Sequence, residues 1–453
     1  MIMEIKGSIP SLTELDPRVI PFQRKLVWTI KRGLDYSQGT HEILCSGAVG
    51  SSKSVVAAHL GITHCLENPK ALLLIGRRSM PDLKSTLLQT ILEHLGDDVP
   101  YDLNKATSII TFANGSKIRP YSWADGRYKK VRSLEPSAAI IEELTENEDL
   151  DFYHEIKLRV GRLKHVNEKW ILSLTNPDDP THPAHGYFID KPSEKTHVFY
   201  SKTRDNVFLP PSYIATLEED LDPKMARRML EGEWLAISQE VVYYSYSRTH
   251  NFRDRKYEIN PKYPIHITFD FNIGVGKPLS ATLFQWIDRE FHFFDEVVVE
   301  GARTEDVLDE IHGRGYFDIE VEFQVHGDAT GKHRDTRSKH SDWEIIKNYL
   351  NNLKNKAGNY VRFVIGVPLS NPKVRDRHNR VNAQLHNSVG RRRVFVYGPC
   401  KTLDEGFRLT KLKENAGYVE DDSKYYQHVT TAAGYGICWV LSEEGRVEIS
   451  MLR

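Results

Sequence analysis

The sequence predicts an α/β protein with two domains joined by a small linking subdomain. Over residues 41–195, short apolar runs alternate with helical patterns, which is typical of a mainly parallel sheet. The segment 196–255 breaks this pattern with Pro210-Pro211 and an acidic helical stretch. From Pro264 a second pattern of apolar runs begins, with helices between the later runs. We therefore place the domains at 1–195, 196–255 and 256–453.

The predicted elements follow these runs in order. An amphipathic helix is expected from about Arg24 to Leu34 and an acidic helix over Ser212–Leu221. Strands of the first domain are predicted at His41–Cys45, Ala71–Ile75, Ser108–Phe112, Ala138–Ile141 and Trp170–Leu174. Strands of the last domain are predicted at Ile265–Phe269, Ala281–Ile287 and Phe291–Val299, with a late helix over Val429–Val440.

The composition excludes several classes of protein. A chain of 453 residues, 40% hydrophobic and 27% charged, can bury a core in each of two domains. The net charge of −1 does not indicate a nucleic-acid binder, so any DNA contact must come from local basic segments. The four cysteines lack C-x-x-C spacing and are interpreted as reduced core thiols. We expect no signal segment and no membrane span, because no apolar stretch approaches about 18 residues.

A phosphate-binding loop follows the first predicted strand. The segment reads Gly47-Ala48-Val49-Gly50-Ser51-Ser52-Lys53-Ser54, against the usual pattern G-x-x-x-x-G-K-[ST]. Ser52 stands where the pattern has its second glycine. In such loops, backbone N–H groups and the lysine contact the phosphates of a nucleotide, and the hydroxyl after the lysine ligates Mg²⁺. We therefore predict binding of ATP with Mg²⁺ here.

Two adjacent acids end the predicted strand Ala138–Ile141. In nucleotide hydrolases the first acid holds Mg²⁺ and the second polarises the attacking water, which gives Glu142 and Glu143 these two roles. The alternative is a strand that simply runs into an acidic helix start.

Polar residues at two further places are candidate nucleotide contacts. Gln23 can bind the adenine edge through its amide, although a helix-cap contact is the alternative. Thr175 and Asn176 end the strand Trp170–Leu174, where they can lie beside the γ-phosphate. The alternative for this pair is a turn opened by Asn-Pro.

Arginines supplied by a neighbouring subunit can stabilise phosphoryl transfer. The candidates are Arg127, Arg132 and the pair Arg77-Arg78, with solvated or DNA-facing charge as the alternatives. The basic stretches Arg375–Arg380 and Arg391-Arg392-Arg393 are candidate contacts to the phosphates of DNA.

A second acidic site is predicted in the last domain. Asp270 ends the first apolar strand of this domain, and Asp328 ends another. Two carboxylates at neighbouring strand ends can bridge Mg²⁺ or Mn²⁺ for phosphodiester cleavage. The third ligand is open between His428, Asp422 next to Asp421, and Glu296. As isolated features the two aspartates are also ordinary turn formers.

The ordered set of motifs resembles the large terminase subunit of tailed bacteriophages. The motifs are collinear with that family along nearly the whole chain. They are Pro21-Phe22-Gln23, the phosphate loop, Gly76-Arg77-Arg78, Phe112–Ser116, Arg132-Ser133, Ile140–Glu143, Thr175-Asn176-Pro177, Leu230–Trp234, Phe269-Asp270-Phe271, Gly327-Asp328, Asn371–Arg377 and His428–Tyr435.

This resemblance implies an N-terminal P-loop NTPase domain and a C-terminal ribonuclease H-like nuclease domain. It implies an ATPase that drives double-stranded viral DNA into a procapsid and an endonuclease that cuts concatemeric DNA. The roles of Lys53, Ser54, Glu142 and Glu143, of Thr175 and Asn176 in coupling, and of Asp270 and Asp328 in the nuclease then carry over by position. Arg132 falls where some terminases place a trans-acting arginine, and His428 is the expected third nuclease ligand.

The family further implies partners and a location. These are the portal protein, the small terminase subunit and a homo-oligomeric ring, expected as a pentamer on the portal, with a monomer in isolation as the alternative. The location is the cytoplasm of an infected bacterium and, transiently, the portal vertex. Two rival functions remain open: a helicase-type ATPase with an accessory nuclease, and a portal-docking assembly ATPase in which Asp270 and Asp328 are only structural.

Overall fold

The computed structural model describes residues 20–95, 99–124, 131–236, 241–272, 277–333, 340–413 and 418–451. The chain divides into two compact units. The first contains the residues up to Ala215 and the segment from Ala226 to residue 236. The second contains Thr216–Met225 and the described residues from 241 onward.

The first unit is built on an eight-stranded sheet with the order β3-β4-β5-β2-β6-β7-β1-β8. In this sheet order, every neighbouring pair from β5 through β2, β6, β7 and β1 to β8 is parallel. Strands β3 and β4 form an antiparallel edge next to β5. The carboxyl ends of the parallel strands therefore share one edge of the sheet, where ligand sites of such sheets lie. The strands are β1 (His41–Gly47), β2 (Leu72–Arg77), β3 (Tyr101–Asn104), β4 (Ile109–Phe112), β5 (Lys117–Ser122), β6 (Ala138–Ile141), β7 (Trp170–Thr175) and β8 (Thr196–Ser201).

Helices cover both faces of this sheet. Because side chains alternate along a strand, Ile43 of β1 packs into one core and its neighbour Leu44 into the other. The helices are α1 (Pro21–Trp28), α2 (Lys53–Glu67), α3 (Met80–Ser85), α4 (Leu87–Leu95), α5 (Asp151–Lys157) and α6 (Pro183–His185). Helices α7 (Pro211–Asp220) and α8 (Pro223–Glu231) have residues in both units.

The second unit is built on a seven-stranded mixed sheet with the order β14-β13-β10-β11-β12-β15-β9. Strands β10, β11 and β12 form an antiparallel meander, and every other neighbouring pair is parallel. The strands are β9 (Phe252–Arg253), β10 (Ile265–Asp270), β11 (Leu279–Ile287), β12 (Glu290–Val299), β13 (Glu322–Gly327), β14 (Arg362–Gly366) and β15 (Val394–Tyr397). The helices are α9 (Arg248–Asn251), α10 (Thr304–Gly313), α11 (Asp342–Asn352), α12 (Val374–Leu385), α13 (Lys401–Leu409) and α14 (Tyr425–Met451).

The predicted elements are present, with shifted ends. Each predicted strand overlaps an observed one, namely β1, β2, β4, β6, β7, β10, β11 or β12. The first helix begins earlier than predicted, at Pro21, because proline is well suited to the first turn of a helix. No helix among the described residues combines the length and apolar character needed to cross a membrane. The four cysteines are buried free thiols.

The segment 196–255, predicted as a linking subdomain, is divided between the two units. Its first strand, β8, pairs with β1 in the first sheet, and its last strand, β9, pairs with β15 in the second. Both strands lie at sheet edges, where short segments carry little periodic signal. A linking role for the rest of this segment stays a prediction.

Candidate active sites

The phosphate loop joins β1 to α2, and the side chain of its lysine, Lys53, is buried against the loop's own carbonyl groups. Gly50 and Ser52 have left-handed backbone, with φ of 69° and 67°. Lys53 Nζ donates to the carbonyl oxygens of Gly47 and Ala48, each at 2.8 Å, and to Asn176 Oδ1 at 2.9 Å. The Lys53 side chain is buried, and burial lowers the pKa of its ammonium group to about 8. The lysine therefore lies where an anion entering the loop would meet it.

Backbone N–H groups complete this candidate anion site. In the part of the chain that the structure describes, the N–H groups of Gly50, Ser52, Lys53 and Ser54 donate to no backbone carbonyl. The last two open α2, a helix of 15 residues whose N-terminal end carries partial positive charge. A buried lysine and unpaired N–H groups at a helix start fit a phosphate group.

The two acids after β6 reach the loop from the neighbouring part of the sheet. Glu142 Oε1 accepts a hydrogen bond from Ser54 Oγ at 3.3 Å, which brings together the two predicted Mg²⁺ contacts. Glu143 has left-handed backbone with φ of 49°, so the chain turns sharply after the strand. Burial raises the pKa of both carboxyl groups. Adjacent residues of a strand point to opposite faces, so a turn of this kind is needed for both acids to face the loop.

Asn176, after β7, contacts both sides of the site. Its Nδ2 donates to Glu143 Oε1 at 3.0 Å and to Oε2 at 3.2 Å, while its Oδ1 accepts from Lys53. Thr175 lies behind it, with its hydroxyl 2.8 Å from that of Thr145. Asn176 is therefore part of the site, and Thr175 contacts the short turn that follows the acids rather than the loop.

Gln23, on α1, contacts the phosphate loop directly. Its Nε2 donates to the carbonyl oxygen of Ser52 at 3.1 Å. This contact differs from the helix-cap alternative and brings α1 beside the loop. A contact of Gln23 with adenine stays a prediction.

The candidate arginines have different surroundings. Arg132 is about half exposed, at 54%, and its Nε donates to Glu155 Oε2 at 3.0 Å. Arg77 instead turns toward the acids of its own chain, with Nη1 3.7 Å from Glu142 Oε2 and Nε donating to Glu146 Oε2 at 3.1 Å. Arg127 lies outside the described residues. The trans-acting role of Arg132 stays a prediction. Arg77 lies beside the acids of its own chain, an arrangement that was not among the roles considered from the sequence.

The second candidate site lies at the ends of two parallel neighbours, β10 and β13. Asp270 ends β10 and Asp328 follows β13, and the Asp328 N–H donates to the Phe269 carbonyl at 3.1 Å. Both side chains are buried, at 6% exposed. A side chain at Gly327 would collide with this strand, because a Cβ there would lie 2.3 Å from the Phe269 carbonyl oxygen. The close approach of the two strands therefore requires glycine before Asp328.

His428, near the start of α14, contacts Asp270. Its Nδ1 lies 3.2 Å from Asp270 Oδ2, and Asn272 Nδ2 donates to the same oxygen at 2.7 Å. Burial raises the pKa of Asp270, and the hydrogen bond from His428 opposes this rise. Two polar groups therefore hold one carboxylate oxygen of Asp270.

The other two candidates for a third ligand are engaged elsewhere. Glu296 accepts hydrogen bonds from the N–H groups of Thr402 and Leu403 at the start of α13, as a helix-capping carboxylate. Asp422 pairs with Lys277 and Lys413, which lowers its pKa. His428 is the one of the three that the structure brings to Asp270.

Asn371 holds the second carboxylate, a role that the sequence did not predict. Its Nδ2 donates to Asp328 Oδ1 at 2.7 Å, and its Oδ1 accepts from the Ala329 N–H at 2.8 Å. The role of Asn272 beside Asp270 was likewise not predicted. The spacing of two residues from Asp270 was an available signal for Asn272, whereas Asn371 lies 43 residues from Asp328 in the chain.

Metal binding at this site is not established by the geometry. Among the described residues, no group of three or more histidine, cysteine, aspartate or glutamate side chains is arranged to hold a metal ion. The donor set of two buried carboxylates and one imidazole nevertheless fits a divalent cation chemically. The metal roles of Asp270, Asp328 and His428 stay predictions, as do those of Ser54 and Glu142.

Comparison with known proteins bears on both units. The family model described as "Phage terminase large subunit" matches residues 39–233. The resemblance to phage terminase large subunits is confirmed.

Solved structures of a phage terminase extend the likeness along the chain. The large terminase from a thermophilic bacteriophage aligns with a TM-score of 0.63 at 14% identity, covering 93% of this chain and 98% of that one. The same protein in complex with ADP also gives a TM-score of 0.63 at 14% identity, covering 93% and 100%. Its complex with ATP-γ-S gives 0.61 at 13% identity, covering 92% and 98%. No match was found among curated proteins.

These alignments establish the fold. The prediction of an α/β terminase fold, with an N-terminal P-loop NTPase part and a C-terminal ribonuclease H-like part, is confirmed. In this terminase fold the phosphate loop belongs to the first unit and the paired aspartates to the second.

Proposed function

We propose that this chain is the motor subunit that packages viral DNA. ATP hydrolysis at the phosphate loop would drive double-stranded DNA into a procapsid, and the Asp270–Asp328 site would cut concatemeric DNA at the start and end of packaging. The observation that carries the proposal is the contact of Asn176 with both Lys53 and Glu143. This contact joins a phosphate-binding lysine, a candidate base and a neighbouring strand end, which is the machinery that nucleotide hydrolysis requires.

The residues of the first unit divide the work of hydrolysis. Lys53 and the N–H groups of the loop would bind the phosphates of ATP, and Gln23 would lie at the base. Glu143, whose pKa burial raises, would accept a proton from the attacking water, and Asn176 would keep its carboxylate in place. A Mg²⁺ ion held by Ser54 and Glu142 would neutralise charge on the phosphates. The ADP and ATP-γ-S complexes of the thermophilic phage terminase support this assignment by analogy.

The residues of the second unit would cleave a phosphodiester. Asp270 and Asp328 are oxygen donors of the kind that bind Mg²⁺ or Mn²⁺, and such ions activate water and stabilise the leaving oxygen in two-metal nucleases. His428 and Asn272 would orient Asp270, and Asn371 would orient Asp328.

The assembly belongs to the same proposal. The chain would act as a ring on the portal protein, a pentamer with Arg132 completing the ATP site of a neighbour, and would receive DNA from the small terminase subunit. Residues 196–255 would link the two activities. This places the protein in the cytoplasm of the infected bacterium and, transiently, at the portal vertex.

The proposal is tested on the full chain with two assays, DNA-stimulated ATP hydrolysis and plasmid cleavage with Mg²⁺ or Mn²⁺. We expect Lys53→Ala to abolish hydrolysis and Asp270→Ala to abolish cleavage, whereas the controls Lys70→Ala and Asp306→Asn retain both. A folded wild-type chain without hydrolysis would overturn the motor. Hydrolysis without cleavage under either metal would favour the assembly ATPase, and strand displacement on a forked duplex would favour the helicase.

A further inference from the structure

The phosphate loop departs from the usual pattern at one position, and its backbone there keeps the form that glycine favours. Ser52 has φ of 67° and ψ of 30°, in the left-handed region that disfavours residues with a Cβ. Its side chain makes no capping hydrogen bond to α2. Something outside the loop must therefore stabilise this conformation.

Asn206 supplies that support. Its Nδ2 donates to the Gly50 carbonyl oxygen at 2.7 Å and to Ser52 Oγ at 2.9 Å, so both of its N–H groups are directed to the loop. Its Oδ1 accepts from the Phe208 N–H at 3.2 Å, which closes a turn of its own segment. The Asn206 side chain is 8% exposed. The oxygen of the buried Asn206 amide is thus held by its own segment. The nitrogen of the same amide contacts Gly50 and Ser52, the two loop residues with left-handed backbone.

Three other residues of the same unit also contact the backbone of the loop. Thr203 Oγ1 donates to the Val49 carbonyl at 2.6 Å, and the Ser201 carbonyl accepts from the Ala48 N–H at 2.9 Å. The Met229 carbonyl accepts from the Val49 N–H at 2.8 Å. We call Ser201, Thr203, Asn206 and Met229 the loop clasp. The clasp occupies the N–H groups at the start of the loop, and the four later N–H groups of the candidate anion site are left for a ligand.

We propose that Asn206 is a positioning residue that holds Ser52 in its left-handed conformation, and that residues 52 and 206 act as a coupled pair. A glycine at position 52 adopts this conformation without help, whereas serine needs the amide of Asn206. The inference rests on the proposed function, because the conformation matters for aiming the N–H groups at ATP. Asn206 itself acts through the loop and does not touch the phosphates.

The test is a double-mutant cycle on the full chain with Ser52→Gly, Asn206→Ala and the double variant. We expect Asn206→Ala to raise KM for ATP about tenfold when residue 52 is serine and less than about twofold when it is glycine. Thr203→Val is the matched control: it removes a clasp contact to Val49 but none to Ser52, so its effect should be the same in both backgrounds. Equal effects of Asn206→Ala in both backgrounds would overturn the pairing.

A second double-mutant cycle uses the melting temperatures of the same proteins without nucleotide. It separates the proposed pairing of residues 52 and 206 from the proposed function of the chain. Here too, Asn206→Ala should lower the melting temperature more when residue 52 is serine than when it is glycine. If this coupling appears but the wild type hydrolyses no ATP, the proposed function and the nucleotide role of the pair both fail, while the conformational role stands. If Asn206→Ala does not fold, Asn206→Ser replaces it, because its hydroxyl keeps an acceptor for the Phe208 N–H.

Discussion

Asn176 binds two groups of opposite charge with one amide. Its Oδ1 accepts from the Lys53 ammonium at 2.9 Å and its Nδ2 donates to the Glu143 carboxylate at 3.0 Å. The reverse orientation of the amide would aim its N–H groups at the ammonium, so the two partners fix its direction. The residue thereby keeps the candidate base and the phosphate-binding lysine at a set separation.

We predict that Asn176→Asp lowers the rate of ATP hydrolysis by about 100-fold, the scale of a misplaced general base. The new carboxylate retains an acceptor for Lys53 but replaces a donor to Glu143 with negative charge, which raises the pKa of Glu143 further. A steady-state hydrolysis assay measures the effect. Asn114→Ala, which removes an amide bound to the carbonyls of Cys65 and Leu66, is the control. A wild-type rate for Asn176→Asp would contradict this assignment.

At the second site, Asn371→Ala should reduce plasmid cleavage by about 10- to 100-fold if Asp328 binds metal as proposed, because removing a partner of a metal-binding carboxylate usually has an effect of this size. Without the amide, Asp328 Oδ1 keeps only the hydrogen bond from the Thr330 N–H among the contacts of the described residues. ATP hydrolysis by the same variant should be unchanged. Asn352→Ala, whose amide donates to a carbonyl within its own helix α11, serves as the control. Full cleavage by Asn371→Ala would remove this residue from the site.

Some of these site residues can be predicted from the sequence, and others cannot. Asp270 ends a buried strand, Glu142 directly follows another, and Lys53 opens the helix after β1 and the glycine-containing turn, so local pattern and chemistry together single them out. Asn206 and Asn371 reach their sites through folding, at 154 and 43 residues from their partners, and no local pattern assigns them a role. Arg77 was named as a candidate from the sequence, but its position beside Glu142 of the same chain is seen only in the structure.

At the scale of elements, Arg377 connects α12 both to the segment before α14 and to α14 itself. Arg377 of α12 pairs with Glu420, and its guanidinium lies 5.0 Å from the ring centre of Tyr435 on α14. Burial by itself would raise the pKa of Glu420, but the charge of Arg377 and the hydrogen bond from His378 lower it to about 2. The carboxylate therefore stabilises the fold in its ionised form.

Replacing Glu420 should be costly, because it leaves the Arg377 charge buried without its partner. We expect Glu420→Gln to lower the free energy of unfolding at pH 7 by about 3 kcal/mol. Asp421→Asn, at the neighbouring position, should change it by no more than about 0.5 kcal/mol. Urea unfolding of the two variants beside the wild type measures both values.

The same pair predicts a pH dependence. The pKa of Glu420 is lower in the folded chain than the ordinary value of 4.5, so its contribution is complete above that value and is lost as the pH falls toward 2. The stability difference between wild type and Glu420→Gln should therefore shrink across this range. A difference that stayed constant down to about pH 2 would show that folding does not lower the pKa of Glu420.

Elements were predictable where burial gives a strong pattern. The central strands β1, β6 and β7 are buried along their whole length and contain mostly apolar residues, and their predicted ends lie within two residues of the observed ones. Strand β3 reads Tyr-Asp-Leu-Asn and is mostly exposed at its sheet edge, so it has no comparable signal. Strand β5 contains Pro120, which argues against a strand from sequence alone.

At the scale of the whole molecule, the sequence places the start of the last domain at residue 256, whereas the second unit of the structure also contains the described residues from 241 onward. Tyr243 is fully buried against Phe407 in the core of the second unit, and β9 extends its sheet beside β15. Both precede residue 256. The sequence placed the start ahead of the apolar runs that begin at Pro264, after a segment marked by Pro210-Pro211 and an acidic helical stretch.

A fragment of residues 256–453 should consequently be less stable than one of residues 241–453. The shorter fragment lacks Tyr243 and β9, and the loss of one large buried aromatic side chain alone costs about 3 to 5 kcal/mol. Thermal unfolding followed by circular dichroism compares the two, and we expect the shorter fragment to melt at a lower temperature or not to fold. Equal melting temperatures would place the boundary back at 256.

The loop clasp has a consequence for how the chain is made. Thr203 and Asn206 each lie 154 residues after their partners Val49 and Ser52 in the phosphate loop. A ribosome that has released β1 and α2 has therefore not yet released the segment that shapes the loop between them. During synthesis the nucleotide site stays unfinished until about the first half of the chain has emerged, so a nascent chain shorter than this cannot bind ATP in the native way.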